Sequence, residues 1–231
     1  MRRASNHFNV KRSGDWIVVY EDRDLLVAGK PAGLLTSTVP REKRPTLLAM
    51  VREYVAQREP RARVGLIHRL DRDAQGLLVF SKSNAAYQSL KTQFFHHTVR
   101  RAYTAVVQGV PKQKAGTIRS RLVERADGTV YSTNKHAAGD AAVTDYTTVS
   151  SMGGRSVLRV VLQTGRKHQV RVHLAEQGTP VIGDSMYGRG DPAGLHLAAT
   201  ELEFDHPRSG KRVTFQYRPS FERQDERRVD E

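Results

Sequence analysis

The sequence of 231 residues contains no cysteine, a single tryptophan and far fewer acids than bases. Each shortage excludes something. Without cysteine there is no disulfide framework, no thiolate zinc or iron–sulfur site and no cysteine nucleophile. There is no apolar run of about 18 residues, so no membrane-spanning helix is expected. The first residues, MRRASNHFNVKRSGDW, are basic but lack the apolar stretch of a secretory signal. A cysteine-free chain suits a reducing compartment, and a cytoplasmic location is expected.

What is present is positive charge. Lys and Arg number 38 against 24 Asp and Glu, a formal charge of +14. Such an excess points to a polyanionic partner, because cations near phosphates release condensed counterions. Arginine outnumbers lysine 28 to 10. That bias fits bidentate phosphate contacts, and it equally fits codon usage in a GC-rich genome. The length suits one large domain or two small ones, and the hydrophobic content of 38% is enough for a core. Residues 1–14 read as a flexible basic arm, 15–221 as the folded domain and 222–231 as a charged tail.

Order is expected from Trp16, with strands at 16–20 and 25–28 stopped by Gly29-Lys-Pro-Ala-Gly33. Leu47, Leu48, Val51, Tyr54 and Val55 recur at helical spacing behind Thr46 as N-cap. Strands are expected at 64–67 and 76–80, then a helix from Asn84 as N-cap with Tyr87, Leu90 and Phe94 on one face. Val99 to Val107 alternates as a strand, with Val99, Arg101, Tyr103, Ala105 and Val107 sharing a side. The glycine-rich stretch 108–140 predicts turns and short strands. Further strands are expected at 142–149 and 157–162, and a short helix at 168–177 ended by Gly178; Leu195 to Ala199 precedes Glu201 to Phe204, and 213–215 reads as a return strand. Many strands with few helices predict an α+β domain with a mixed, largely antiparallel sheet.

Two segments carry chemistry. Leu66-Ile-His-Arg-Leu-Asp-Arg-Asp-Ala-Gln-Gly-Leu-Leu-Val-Phe80 places carboxylates on a loop between apolar strands, where a positioned nucleophile or base could sit, or simply a polar turn. Thr164-Gly-Arg-Lys-His-Gln-Val-Arg-Val-His173 gathers Arg166, Lys167, His168 and Arg171 at a helix start, which suits an anion or a solvated basic face.

These and other segments resemble the RluA-type pseudouridine synthases, in that family's order and spacing. His68-Arg-Leu-Asp71 followed by Gly76-Leu-Leu-Val resembles its catalytic motif, and Leu25 to Gly33 its first signature. Arg101-Ala-Tyr-Thr-Ala-Val-Val-Gln-Gly109 resembles its tyrosine strand. Residues 164–174 and Pro180 to Gly188 are similar to its basic helix and following loop, and Leu195-His-Leu-Ala-Ala199 with His206-Pro207 to its closing segment. The match runs over about residues 16–218.

The resemblance implies the pseudouridine synthase fold, with an active-site cleft across the sheet. It implies that a uridine in rRNA or in a tRNA-like stem-loop is flipped from its stack and isomerised. Asp71 would be the nucleophile, Arg171 its basic partner and Tyr103 the active-site tyrosine that stacks on the base. Arg69 would take the place of the flipped base. Leu174 would line the uracil pocket, and His68, Arg166 and His168 would contact substrate. No cofactor, metal or energy source is implied, and a monomer is expected.

The sequence also departs from the family pattern. Ala74-Gln75 stands where Thr-Ser is usual, and Ala28-Gly29 replaces Val-Asn. About 15 residues precede the first catalytic strand, so RNA capture is expected to fall to the catalytic domain's basic surface. Lys30 reads as structural, beside the turn residues Pro31 and Gly33. Two other readings remain: an RNA-binding protein that kept the fold without the chemistry, and a hydrolase using Asp71 with Asp73.

Overall fold

A computed structural model describes residues 11–13, 16–38, 43–133 and 138–221. Among them the chain forms twelve strands and three helices. The strands are β1 (Lys11–Ser13), β2 (Trp16–Glu21), β3 (Leu25–Lys30), β4 (Gly65–Leu66), β5 (Gln75–Ser81), β6 (Arg100–Gln108), β7 (Ala115–Glu124), β8 (Val130–Thr133), β9 (Asp140–Met152), β10 (Arg155–Leu162), β11 (Leu197–Asp205) and β12 (Arg212–Gln216). The helices are α1 (Leu47–Ala56), α2 (Asn84–Phe95) and α3 (Gln169–Glu176).

All strands join one sheet, in the order β1-β2-β3-β5-β11-β6-β10-β9-β7-β8, with β4 beside β5 and β12 beside β11. Every pairing is antiparallel except β5 with β11, which run parallel through Gln75–Ala198 and Gly76–Ala199. This is the α+β, mostly antiparallel sheet expected from the alternating pattern.

Alternation along β5 assigns its side chains to two cores. Leu78 and Phe80 point to one face, where they meet Leu47, Val51 and Val55 of α1 and Val170 and Leu174 of α3. Leu77 and Val79 point to the other, against Leu90 of α2 with Phe204 and Phe215. A strand buried on both faces needs a continuous apolar run, and Gly76 to Phe80 supplies it. Thr46 caps α1 by accepting from the Ala49 amide at 3.2 Å, a contact typically worth about 1 kcal/mol.

Some boundaries differ from the sequence reading. The N-cap of α2 is Ser83, which accepts from the Ala86 amide, one residue before Asn84. Lys11–Ser13 pairs with Trp16–Val18, so strand structure begins inside the basic arm. The remainder of that arm and tail residues 222–231 lie outside the described residues. The stretch 108–140 holds a ten-residue strand, β7, paired with β9 and β8. Its side chains are mostly half-exposed, so no apolar stripe marks it in sequence.

Candidate active site

Asp71 sits on the loop joining β4 to β5, and that loop is tied down on both sides. Thr36 Oγ1 donates to the Leu70 carbonyl at 2.8 Å and accepts from the Leu70 amide at 3.2 Å. Lys30 is fully buried, and its ammonium donates to the carbonyls of Arg72 and Leu34 at 2.7 Å and of Pro31 at 2.9 Å. Burial lowers the Lys30 pKa to about 8, against the opposing pull of Asp73 and Asp71. Its role is to fasten the turn after β3 to the loop carrying Asp71. On the downstream side, Gly76 has φ +116°, and a Cβ there would strike the backbone of Ala199. Only glycine allows β5 and β11 to approach so closely beside Asp71.

Arg171 reaches this loop from the first turns of α3. Its Nη1 lies 3.4 Å from an Asp71 carboxylate oxygen. The stronger hold comes from Asp184, which accepts from Arg171 Nε at 2.7 Å and Nη2 at 2.8 Å. This two-point fork fixes the guanidinium plane. Asp184 is itself buried and accepts from the amides of Met186 and Tyr187, each at 3.0 Å. Burial alone would raise the Asp184 pKa, but the hydrogen bonds and charge of Arg171 outweigh it and lower it. Burial likewise opposes the charge on Arg171, and Asp184 and Asp71 overcome it, raising the arginine's pKa further. Gly183, with φ +78° and packed against Gly194, sets the turn that delivers Asp184.

The N-terminus of α3 is organised by the buried amide of Gln169. Its oxygen accepts from Thr164 Oγ1 at 2.8 Å and the Arg166 amide at 3.0 Å. Its nitrogen donates to the Val143 carbonyl and Thr144 Oγ1. His168 precedes it in the left-handed region, and its Nδ1 lies 2.8 Å from the Tyr187 hydroxyl. Burial, against Asp71's opposing charge and with Arg171 and Lys167 adding, lowers the His168 pKa.

A cavity of about 60 Å³ opens beside Asp71, lined by Tyr103, Arg171 and Arg69 with the apolar Leu162, Val170 and Leu197. It adjoins a groove of about 820 Å³ that also borders on Asp71 and Arg69. Arg69 is exposed on the wall they share, with Arg166 and His168. Tyr103 is buried on β6, and burial pushes its phenol pKa up, with Arg101 opposing and Asp71 adding. Ala74 lines the cavity, and the neighbouring Gln75 amide accepts from Tyr217 Oη and the Ser220 amide. Thus Gln75 ties the start of β5 to the segment around Tyr217 and Ser220.

Two of the residues expected at the site lie away from the cavity wall. Leu174 does not line the cavity. It is buried in the main core one helical turn beyond Val170, and Val170 is the residue that reaches the cavity wall. His68 borders the groove rather than the cavity, and its Nε2 accepts from the Val79 amide at 3.2 Å while its ring stacks on Phe94. That nitrogen is committed to holding the loop against β5. Asp73, the other carboxylate considered, turns outward to Arg72 and lines neither space. Sequence reasoning did not single out Asp184, Gln169 or Arg101, although Gly183-Asp184 lay within a recognised segment. Arg101 lies on the cavity wall, with its Nε buried and without a hydrogen-bond partner.

A carboxylate beside a forked arginine and a buried tyrosine, at the mouth of a cationic groove, suits an enzyme acting on a polyanion such as a nucleic acid. The RNA pseudouridylate synthase family model matches residues 24–176, and the chain belongs to that family. It is 34% identical over 218 residues to ribosomal large subunit pseudouridine synthase D of Zymomonas mobilis, covering 86% of this chain and 67% of the relative. It is 35% identical over 212 residues to the uncharacterised RNA pseudouridine synthase YlyB of Bacillus subtilis, covering 87% and 68%. The solved structure of human RNA pseudouridylate synthase domain containing 4 superimposes with a TM-score of 0.77 at 21% identity, covering 92% of both chains, so the fold is shared. The protein is an RNA pseudouridine synthase, an isomerase acting on RNA. Among the described residues no helix is long and apolar enough to cross a membrane.

Proposed function

We propose that this chain isomerises one or more specific uridines in a ribosomal RNA or tRNA stem-loop, acting as a monomer with Asp71 as nucleophile. The observation that carries the reading is the Asp71–Arg171 contact of 3.4 Å at the small cavity that adjoins the cationic groove. Several relatives are ribosomal large subunit pseudouridine synthases, which favours large-subunit ribosomal RNA over tRNA.

The target uridine rotates out of its stack into the cavity, with Leu162, Val170 and Leu197 as apolar walls. Tyr103 stacks on the base, and Arg69 on the rim takes the vacated space, where a planar guanidinium can stack between bases. Asp71 attacks either the uracil ring at C6 or ribose C1′, and the bond it forms breaks again before product leaves, which restores the carboxylate that Arg171, held by Asp184, keeps aimed. The bond from ribose C1′ to N1 breaks and a bond from C1′ to C5 forms. The C5 proton leaves and N1 gains one, so product and reactant are isomers. Tyr103 is the group nearest to hand for proton removal from C5.

The test uses ribosomal RNA transcripts tritiated at uridine C5. The wild-type protein should release tritium to water without releasing uracil. Asp71→Ala should release none while binding the RNA within a few-fold of wild type. Full release by Asp71→Ala would overturn the assignment of the nucleophile. RNA binding without release by wild type, on any ribosomal RNA or tRNA, would favour a non-catalytic binder.

A further inference from the structure

Helix α2 ends on a feature that the catalytic machinery does not use. Its inner face carries Ala86 and Leu90 into the core, with Tyr87 and Phe94 partly buried beside them. Lys91 and Phe95, four residues apart, share the outer face over the groove, and both line it. Phe95 is 77% exposed and is the one exposed Phe, Tyr or Trp among the described residues; its ring meets the exposed His96 ring edge-on at 5.1 Å. Leaving a phenylalanine in water forgoes about 1.5–3 kcal/mol of burial. A single exposed apolar side chain is ordinary, but an exposed ring in a groove of cations is a specific combination.

The backbone that carries the ring is also held in place. The Thr98 amide donates to the Gln93 carbonyl at 3.0 Å and the His97 amide to the Phe94 carbonyl at 3.3 Å. His97 adopts the left-handed conformation, φ +56°, that this helix ending requires. The backbone on both sides of Phe95 is therefore fixed. Arg101, its Cζ 5.5 Å from the ring centroid of neighbouring Phe94, lines the same groove as Arg69 and Asp71.

We propose that Phe95, with Lys91 and Arg101, forms a stacking platform for an unpaired nucleotide next to the flipped uridine. The inference rests on the RNA reading of the same groove. A flipped base leaves its neighbours without one stacking partner, and an aromatic side chain replaces that partner for any base. Phosphates of the same strand meet the cations. A duplex offers no free base face, so this platform selects loops and single strands over paired RNA. The cations of the groove outnumber Asp71 and Glu124 among its lining residues, which favours a polyanion over an apolar protein partner.

The test measures binding of a short unpaired oligoribonucleotide and of a blunt duplex of equal length by fluorescence anisotropy. Phe95→Ala should weaken single-strand binding by about tenfold and leave duplex binding within about twofold. Phe95→Trp should keep the affinity, and its introduced indole should be quenched by the single strand and not by the duplex. Lys91→Gln should lower the salt slope for the single strand by about 0.7. Equal binding of the single strand by wild type and Phe95→Ala, or an unquenched indole, would overturn the platform and leave the RNA reading intact. Failure of the wild-type protein to bind either RNA would overturn both.

Discussion

Asp184 grips Arg171 at 2.7 and 2.8 Å, while Arg171 reaches Asp71 at 3.4 Å. The short contacts fix the arginine, and the longer one holds the Asp71 carboxylate less tightly. Asp184 thus fixes the arginine that contacts Asp71, which makes it a positioning residue for the nucleophile proposed above.

Asp184→Asn should therefore act on both stability and turnover. Removing one partner of a buried pair costs about 3–5 kcal/mol. Turnover should fall by roughly 100-fold through misplacement of Asp71, with RNA affinity changed only a few-fold. Arg171→Lys, which keeps the charge but loses the fork, should show the same turnover loss with a smaller loss of stability. Thermal melts and single-turnover rates on one RNA separate the two effects, and unchanged turnover in Asp184→Asn would remove its positioning role.

Tyr103→Phe keeps the ring and removes the hydroxyl. Binding should be close to wild type, because stacking survives. Turnover should drop by about 100-fold or more if the phenol moves the C5 proton. Retained turnover would assign Tyr103 to stacking alone.

How much of this could be read from the sequence depends on range. Asp71, Tyr103 and Arg171 lie in short motifs whose local pattern is distinctive, and the fold brings all three to one cavity. Leu174 is assigned by resemblance alone, and it lies in the core one helical turn beyond Val170, which reaches the cavity wall. Asp184 stayed hidden because its meaning is a buried partner 13 positions away. Ser83 and Asn84 are both competent caps, and only the Ala86 amide decides between them. The length of β7 was invisible because its face is mostly polar and half-exposed.

Histidine titration gives an acid prediction with a definite sign. Burial lowers the pKa of His173 to about 4 and of His68 to about 3, with Arg101 and Lys91 adding to the latter. Both are neutral in the fold, with ordinary values when unfolded. As pH falls below about 6.5 the unfolded chain takes up protons that the folded chain refuses. Their contribution is present above that pH and is lost as pH falls toward about 4 and about 3 respectively. Each histidine contributes a slope of about 1.4 kcal/mol per pH unit within its window. Urea unfolding between pH 4 and 7 should show this slope, and His173→Gln should flatten it by one proton. An unchanged slope would mean that His173 titrates normally in the fold.

Gly76→Ala tests the approach of the two central strands. The added Cβ meets the Ala199 backbone at φ +116°, and neither can yield without moving β5 or β11. A loss of several kcal/mol or failure to fold is expected, since positive φ alone costs about 1–2 kcal/mol. A variant that melts like wild type would show that the strands separate more easily than their geometry implies.

The central claim is that Asp71 in this groove converts uridine to pseudouridine in cellular RNA. Carbodiimide treatment followed by primer extension maps pseudouridines directly, in cells with the gene, without it, and without it but carrying wild-type or Asp71→Ala protein. At least one stop in ribosomal RNA or tRNA should vanish on deletion, return with the wild-type protein and stay absent with Asp71→Ala. A stop that returns equally with Asp71→Ala would contradict the account.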